Sequence, residues 1–262
     1  MGSIPTSGTI LSSVSDMNPE SDFAVVHGSP GARVRAFGLA ATYWPFLFAL
    51  FLAGWFLHAA LPARVPSEWA AVALLLLVLF AWAALGRSAR RYRSYLKGAR
   101  GEEIVARELS LLPADWTVFH GVPRGGFEAA FGGGDFDHVV LGPGALYVVE
   151  TKNWAGPVRV EGASVSAAGL PASRSPVAQV RREANALRRR LRRQLPPDMP
   201  VRGVVCFASN GLERDRADVD GTPLCNVRDL RALLLAGKDP SVGPERRRLL
   251  VEALLSTPDA AE

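Results

Sequence analysis

The chain has 262 residues, enough for one or two domains of ordinary size. It carries 30 Lys and Arg against 25 Asp and Glu, a net charge of +5, yet 48% of its residues are hydrophobic, which is high for a soluble protein. Its two cysteines, Cys206 and Cys225, lie far apart in sequence, with no C-x-x-C and no His at ligand spacing. This pattern excludes a disulfide scaffold and a zinc ribbon.

The N-terminal segment, residues 1–36, is rich in Ser, Gly and Pro and shows no periodicity. It lacks the basic and then apolar order of a cleavable signal peptide. We therefore predict a disordered tail over 1–36.

Two uncharged apolar runs follow, at residues 37–61 and 69–86. At ~1.5 Å per helical residue, each is long enough to cross a hydrocarbon core of ~30 Å. Residues 62–68 separate the two runs, so the sequence predicts a transmembrane helical hairpin that contacts the lipid bilayer through 37–86. The alternative is a pair of buried helices in a soluble protein.

Basic residues flank the hairpin at its outer ends, whereas the intervening loop contains only Arg64. They are Arg33 and Arg35 before the first run, and Arg87, Arg90, Arg91, Arg93, Lys97 and Arg100 after the second. Because Lys and Arg near a membrane segment resist translocation, we expect a multi-pass protein of the cell membrane with both termini cytoplasmic. Residues 87–97 then form a basic juxtamembrane linker.

Residues 98–262 have an ordinary globular composition and are predicted to form one domain. In chain order, the patterns predict a helix over 99–112, a β-hairpin over 135–152, a helix over 176–195, a strand over 201–208, a short strand near Leu224, and helices over 228–236 and 244–255. This succession predicts an α/β domain in which helices flank a mixed sheet.

The hairpin brings acidic residues together. Its strands are joined by Gly-Pro-Gly at 142–144, and if Gly142 pairs with Ala145, Asp137 lies opposite Glu150. Two carboxylates at ~5 Å across a ladder repel each other unless a proton or cation lies between them, and a divalent ion is the simplest solution. The alternative is a structural cluster neutralised by Lys152 and a neighbouring Arg. The side chain of His138 points to the other face, as a core histidine.

The helix over 99–112 supplies a third carboxylate. Glu102 shares a helical stripe with Val105, Ala106 and Leu109, and that stripe faces the core. A glutamate in a first turn can also serve only as a cap for the helix end.

Four short motifs give these residues a family resemblance. G-A-R-G-E at 98–102, D-H-V-V-L-G-P-G at 137–144 and E-T-K-N-W at 150–154 resemble the nuclease-related domain family, NERD, of the restriction-endonuclease-like superfamily. S-P-V-A-Q at 175–179 resembles the later N-P-x-x-Q of that family, with Ser in place of Asn. The resemblance covers residues 98–195 and implies a restriction-endonuclease-like mixed sheet flanked by helices.

The resemblance also implies roles for individual residues. Asp137 and Glu150 would be metal ligands, Glu102 the helix carboxylate of the same metal site, and Lys152 the catalytic lysine, with Gln179 nearby. Mg²⁺ or Mn²⁺ held by carboxylate oxygens activates water, neutralises phosphate charge and stabilises a leaving oxygen. Lys152 shares a face with Glu150 and can orient the attacking water or offset phosphate charge.

The helix over 176–195 is strongly basic outside its apolar stripe. Such a helix can lie along a phosphate backbone, and we expect nucleic acid, DNA rather than RNA, to contact Arg188, Arg189, Arg192 and Arg193. Contact with anionic lipid, or a merely solvated face, is the alternative.

These inferences predict a membrane-anchored, cytoplasm-facing nuclease that hydrolyses phosphodiester bonds with Mg²⁺ or Mn²⁺. One alternative is an inactive docking module for nucleic acid or protein on the same fold. Another is a membrane-organising protein that works through its hairpin alone.

Overall fold

The computed structural model describes residues 22–60, 67–124, 134–237 and 239–256. The helices over these residues are α1 (Ala32–Ala60), α2 (Ser67–Leu109), α3 (Pro176–Arg190), α4 (Val227–Leu235) and α5 (Pro244–Leu255). The strands are β1 (Val25–His27), β2 (Thr117–Pro123), β3 (Asp135–Leu141), β4 (Leu146–Lys152), β5 (Val158–Glu161), β6 (Ser164–Ala167), β7 (Leu170–Pro171), β8 (Val201–Phe207), β9 (Arg216–Val219) and β10 (Thr222–Asn226).

Seven strands form a mixed sheet in the order β1-β2-β3-β4-β8-β10-β9, and β5, β6 and β7 form a small antiparallel sheet. The β2-β3-β4 part is antiparallel, whereas β1 with β2, β4 with β8 and β8 with β10 are parallel pairs. One apolar cluster packs one face of the sheet against α3 and α5, and a second packs the other face against α2 and α4. The domain is therefore the predicted α/β fold, a mixed sheet flanked by helices.

Most predicted elements of this domain are found. The hairpin over 135–152, the strand after residue 200, the short strand around Leu224 and both C-terminal helices are confirmed. The helix predicted over 176–195 begins at Pro176, where the Ser175 hydroxyl accepts a hydrogen bond from the Ala178 N–H at 3.2 Å. It ends at Arg190, five positions early, because the chain turns from Leu191 onwards.

The predicted tail is wrong for residues 22–36, and residues 1–21 lie outside the described part of the chain. Strand β1 pairs in parallel with β2, so this segment forms an edge of the domain's sheet. The apolar run Ala24-Val25-Val26 is the local signal of that strand. Helix α1 starts at Ala32, inside the predicted tail.

The predicted basic juxtamembrane linker over 87–97 is helical, because α2 runs without interruption from Ser67 to Leu109. This range contains no proline, and its Arg and Lys residues are good helix formers. The helix predicted over 99–112 is therefore the end of α2.

Two stretches are long and apolar enough, by length and composition, to cross a membrane: Val34–Phe56 in α1 and Ala71–Leu109 in α2. In the second, the uncharged part ends at Gly86. Both helices agree with the predicted hairpin, and most of the loop predicted over 62–68 lies outside the described residues.

Candidate functional site

The β3–β4 hairpin has the register expected from the sequence. Leu141 pairs with Leu146, Val140 with Tyr147, Val139 with Val148 and His138 with Val149. Asp137 and Glu150 therefore lie opposite each other, one position beyond the last of these pairs.

The two strands diverge at Asp137 and Glu150. Strand β3 remains paired with β2 as far as Asp135, whereas β4 remains paired with β8 as far as Lys152. The Thr151 N–H, which faces the gap, donates a hydrogen bond of 2.9 Å to Oδ2 of Asp137. A side-chain carboxylate thus takes the place of a backbone acceptor where the sheet opens.

Glu150 is the centre of a polar cluster on β4 and α3. Its side chain is 4% exposed, and its Oε1 accepts hydrogen bonds from Lys152 Nζ at 2.5 Å and Gln179 Nε2 at 2.7 Å. Gln179 Oε1 in turn accepts from Lys152 Nζ at 3.0 Å. The structure therefore brings Glu150, Lys152 and Gln179 into one contact network, as the resemblance implied.

Glu183 is a member of this cluster that the sequence analysis missed. It lies one helical turn after Gln179, is only 2% exposed, and its Oε1 accepts from Gln179 Nε2 at 3.0 Å and from an Arg124 guanidinium nitrogen at 2.5 Å. Burial first, and then the charge of Glu150, raise its pKa above the ordinary value. The sequence feature that could have indicated a buried Glu183 is its position on the apolar stripe of α3, next to Ala184.

Glu102 approaches the site from α2, on the other side of the sheet. Its Oε2 accepts a 2.9 Å hydrogen bond from the backbone N–H of Gly31, just before α1. Burial raises the pKa of Glu102 to about 7, although the hydrogen bond from Gly31 lowers it. The charge of the nearby Glu150 carboxylate adds to the increase. Gly31 lies outside every motif in the sequence, so its role was not predictable from a local pattern.

The carboxylates of the site repel one another. Removal from water raises the pKa of Asp137 well above its ordinary value, and the charges of Glu150 and Glu102 raise it further. Two buried oxygens, Glu150 Oε2 and Glu183 Oε2, have no hydrogen-bond partner among the described residues. Each of these carboxylates has a cationic partner on its other oxygen, Lys152 for Glu150 and Arg124 for Glu183, so a proton or a further cation would satisfy the two unpaired oxygens.

The chemistry of these residues fits a divalent metal ion. Carboxylate oxygens are the ligands that Mg²⁺ prefers, and two of them are free to accept a cation. No group of three or more His, Cys, Asp or Glu side chains in the described ranges is already spaced to hold a metal ion. Metal binding would therefore need side-chain adjustment within the cluster.

His138 is fully buried, as expected for a core histidine. Its Nδ1 lies 2.7 Å from His120 Nδ1, and its Nε2 lies 3.2 Å from the hydroxyl of Thr151. Burial lowers the pKa of His120 to about 4 and that of His138 well below its ordinary value, so both rings are neutral near pH 7. The histidine pair thus contacts the Thr151 side chain, while the backbone N–H of the same residue donates to Asp137.

The structure does not bring the predicted arginine patch next to the carboxylates. Arg188 and Arg189 lie in the last turn of α3, and Arg192 and Arg193 follow the helix, whereas Gln179 lies in its first turns. The intervening Arg190 is structural, since its guanidinium donates to the backbone carbonyls of Pro123, Ala253, Leu254 and Ser256. The patch is thus a separate surface at the far end of α3.

Comparison with known families gives one match. Residues 97–208 match the family model described as NERD, nuclease-related domain. No curated protein and no solved structure matches the chain. The matched range contains the end of α2, the hairpin, α3 and β8, and hence every residue of the carboxylate cluster. The chain therefore carries a domain of the NERD family, the nuclease-related domain, over residues 97–208.

Proposed function

We propose that this protein is a metal-dependent nuclease that hydrolyses phosphodiester bonds and is anchored to a membrane by α1 and α2. The observation that carries the proposal is the contact network of Glu150, Lys152 and Gln179, with Asp137 held across the gap on Thr151 N–H. A domain with only a structural role would gain nothing from buried carboxylates that repel one another.

Asp137, Glu150 and Glu102 would hold the metal, Mg²⁺ or Mn²⁺. The bound ion would neutralise charge on the phosphate and lower the pKa of a water molecule. Lys152 would direct its ammonium group towards the reacting phosphate or the attacking water. Gln179 supports this role, because its amide contacts both Lys152 and Glu150 and so fixes their relative positions.

The exposed apolar surface of α1 and α2 supports membrane anchoring. Trp44 is 72% exposed and Trp82 is 77% exposed, and large aliphatic and aromatic side chains are exposed along both helices. Apolar surface of this extent is costly in water, so a bilayer is a suitable environment. The basic residues that follow Gly86 favour a cytoplasmic position for the nuclease-related domain.

Nucleic acid is the proposed partner, with DNA favoured over RNA. Arg189 and Arg192 are exposed, Arg188 has a long 3.5 Å contact to the carbonyl of Met199, and Arg193 completes the patch. These four arginines would contact phosphates away from the cut, without reading sequence.

The test uses the full chain in detergent micelles, incubated with single- and double-stranded DNA and RNA and with Mg²⁺ or Mn²⁺. Wild type should cleave, and Lys152→Ala should lose cleavage while nucleic-acid affinity measured in EDTA stays within about twofold, because Lys152 acts on a phosphate already bound. The matched control is Arg159→Gln, which removes an exposed cation that pairs with Glu213. Equal cleavage by Lys152→Ala and wild type would assign the activity to a contaminant or another site.

An inactive docking module on the same fold is the alternative. It predicts that wild type and Lys152→Ala both bind nucleic acid and that neither cleaves it under any metal condition.

A further inference from the structure

A cavity of about 530 Å³ adjoins the carboxylate cluster at Lys152. One wall is α2, at Ser94 and Lys97, and another is the chain that follows β4. The third wall is the β6–β7 hairpin and the residues that lead from it to Arg174. The cavity thus lies where a substrate whose scissile phosphate is next to Lys152 would continue.

The walls of this cavity are fixed to each other close to the site. Asn153 Nδ2 donates a 2.7 Å hydrogen bond to the carbonyl of Lys97, which joins the chain after β4 to α2. A Cβ on Gly101 would lie 2.7 Å from the Asn153 Cβ, so the two elements are in close contact there. The cavity is therefore a built feature of the junction between α2 and β4.

The cavity carries positive charge that the described residues do not neutralise. Lys97 and Arg174 line it, both side chains are exposed, and neither forms an ion pair within the described part of the chain. By contrast, Lys152 at its floor is paired with Glu150. Two unpaired cations beside a phosphodiesterase site favour a phosphate-bearing occupant.

The lining also offers apolar contacts. Trp154 and Leu170 line the cavity, and Leu170, at the start of β7, is 71% exposed. Aromatic and aliphatic surface beside cations is the combination with which proteins bind unpaired bases and their backbone. A volume of about 530 Å³ is that of a small-ligand site, which suits one or two nucleotides and is too small for a base-paired helix.

We propose that this cavity binds the one or two unpaired nucleotides next to the scissile phosphate, so that the substrate is single-stranded nucleic acid or an unpaired end. Lys97 and Arg174 contact the backbone, and Trp154 and Leu170 contact the bases. The inference rests on the proposed function. It assigns the cations that bind the strand next to the cut to Lys97 and Arg174, whereas the arginine patch at the end of α3 contacts phosphates farther away.

The test is binding of a fluorescent single-stranded hexamer, as DNA or RNA, to the full chain in micelles, measured by anisotropy in EDTA so that no cleavage occurs. Lys97→Gln with Arg174→Gln should weaken binding at least about tenfold, and should reduce the slope of log affinity against log salt by ~1.4, since each phosphate bound on a single strand contributes ~0.7. The control is Arg246→Gln with Arg248→Gln on α5, whose cations lie outside the cavity lining. That control should bind as wild type does.

A second variant blocks the cavity without changing its charge. Ala155 lines it and is exposed, so Ala155→Trp should be tolerated by the fold and should weaken hexamer binding with no change in salt slope. The thermal midpoint of each variant is checked against wild type. Wild-type affinity in both the cation and the tryptophan variants overturns the proposal, as does equal affinity of wild type for the hexamer and for a blunt duplex.

The outcomes separate this inference from the proposed function. If the hexamer binds as described but wild type never cleaves with Mg²⁺ or Mn²⁺, the nuclease fails and the strand site stands. If wild type cleaves single strands and the cavity variants bind and cleave equally well, the strand site fails and the nuclease stands.

Discussion

The backbone N–H of Gly31 donates a 2.9 Å hydrogen bond to Oε2 of Glu102. This bond joins the residue before the first helix of the predicted membrane hairpin to the second helix. Gly31 comes just before α1, and Glu102 lies in α2, beyond the uncharged part that ends at Gly86. Gly31 has a φ of +67°, and a Cβ there would lie 2.8 Å from the Ala99 Cβ. The chain that enters the first apolar helix therefore holds a carboxylate of the candidate site.

We expect Gly31→Ala to lower the free energy of unfolding by more than backbone strain alone. The new methyl group would clash with Ala99, and relief of this clash would move the Gly31 N–H away from Glu102. A matched control is Gly162→Ala, at a φ of +58° with nothing near the added Cβ. The control should lower the free energy of unfolding by about 1 kcal/mol, and Gly31→Ala by about 2–4 kcal/mol. Thermal melts with and without Mn²⁺ measure both effects.

Gly31→Ala should also weaken the stabilisation by Mn²⁺, whereas Gly162→Ala should leave it unchanged. Equal melting temperatures and equal Mn²⁺ responses of the two variants would mean that Gly31 does not position Glu102.

The raised pKa of Glu102 predicts how stability depends on pH and metal. Burial raises it to about 7 in the folded protein from an unfolded value of 4.5, so the folded state binds the proton more tightly. Its contribution to stability is full below pH 4.5 and is lost as the pH rises through about 7. Without metal, Glu102→Gln keeps the acceptor for Gly31 and should be more stable than wild type at pH 8, by on the order of 1–3 kcal/mol.

With metal bound, wild type should become more stable than Glu102→Gln at pH 8. Millimolar Mg²⁺ or Mn²⁺ binds the ionised carboxylates, so it should raise the melting temperature of wild type more at pH 8 than at pH 6, and should affect Asp137→Asn little. Should wild type melt at the same temperature with and without metal while Asp137→Asn is more stable, the cluster is metal-free and the nuclease proposal loses its support.

The sequence predicts the parts of the site that local patterns determine. Gly-Pro-Gly and the alternation of apolar residues specify the hairpin register, and with it the opposition of Asp137 and Glu150. Strand β1 was missed because its apolar run, Ala24-Val25-Val26, is short and its partner, β2, is far away in the chain, so nothing nearby indicated that this run would pair in parallel. Glu183 was missed because the apolar residues around it indicated a purely hydrophobic stripe.

The orientation of the hairpin can be tested by cysteine labelling in intact cells. Both native cysteines, Cys206 and Cys225, are fully buried, so a single introduced cysteine gives the signal. Because basic residues flank the hairpin at its outer ends, Ser67→Cys should react with an impermeant maleimide and Ser94→Cys should react only after permeabilisation. If only Ser94→Cys is labelled in intact cells, the hairpin has the opposite orientation.

The arginine patch at the end of α3 should matter for long strands and not for short ones. Arg188 lies nine residues after Gln179, which is ~14 Å along the helix axis, whereas a stacked hexamer centred on the cavity reaches only ~10 Å to either side at ~3.4 Å per nucleotide. Replacing Arg188, Arg189, Arg192 and Arg193 with Gln should weaken binding of a 30-nucleotide strand and reduce its salt slope by ~0.7 for each phosphate that the variant no longer binds. Hexamer affinity should stay within about twofold of wild type.

Arg190 is left unchanged in this variant, because its guanidinium supports the end of α5 through the carbonyls of Ala253 and Ser256. Arg246→Gln with Arg248→Gln serves as the control for loss of positive charge, since that pair lies on α5. Anisotropy titrations between low and high salt measure both slopes. If the fourfold variant binds the long strand as wild type does at every salt concentration, the patch is a solvated face or a lipid contact, and nucleic acid is held by the cavity beside Lys152 alone.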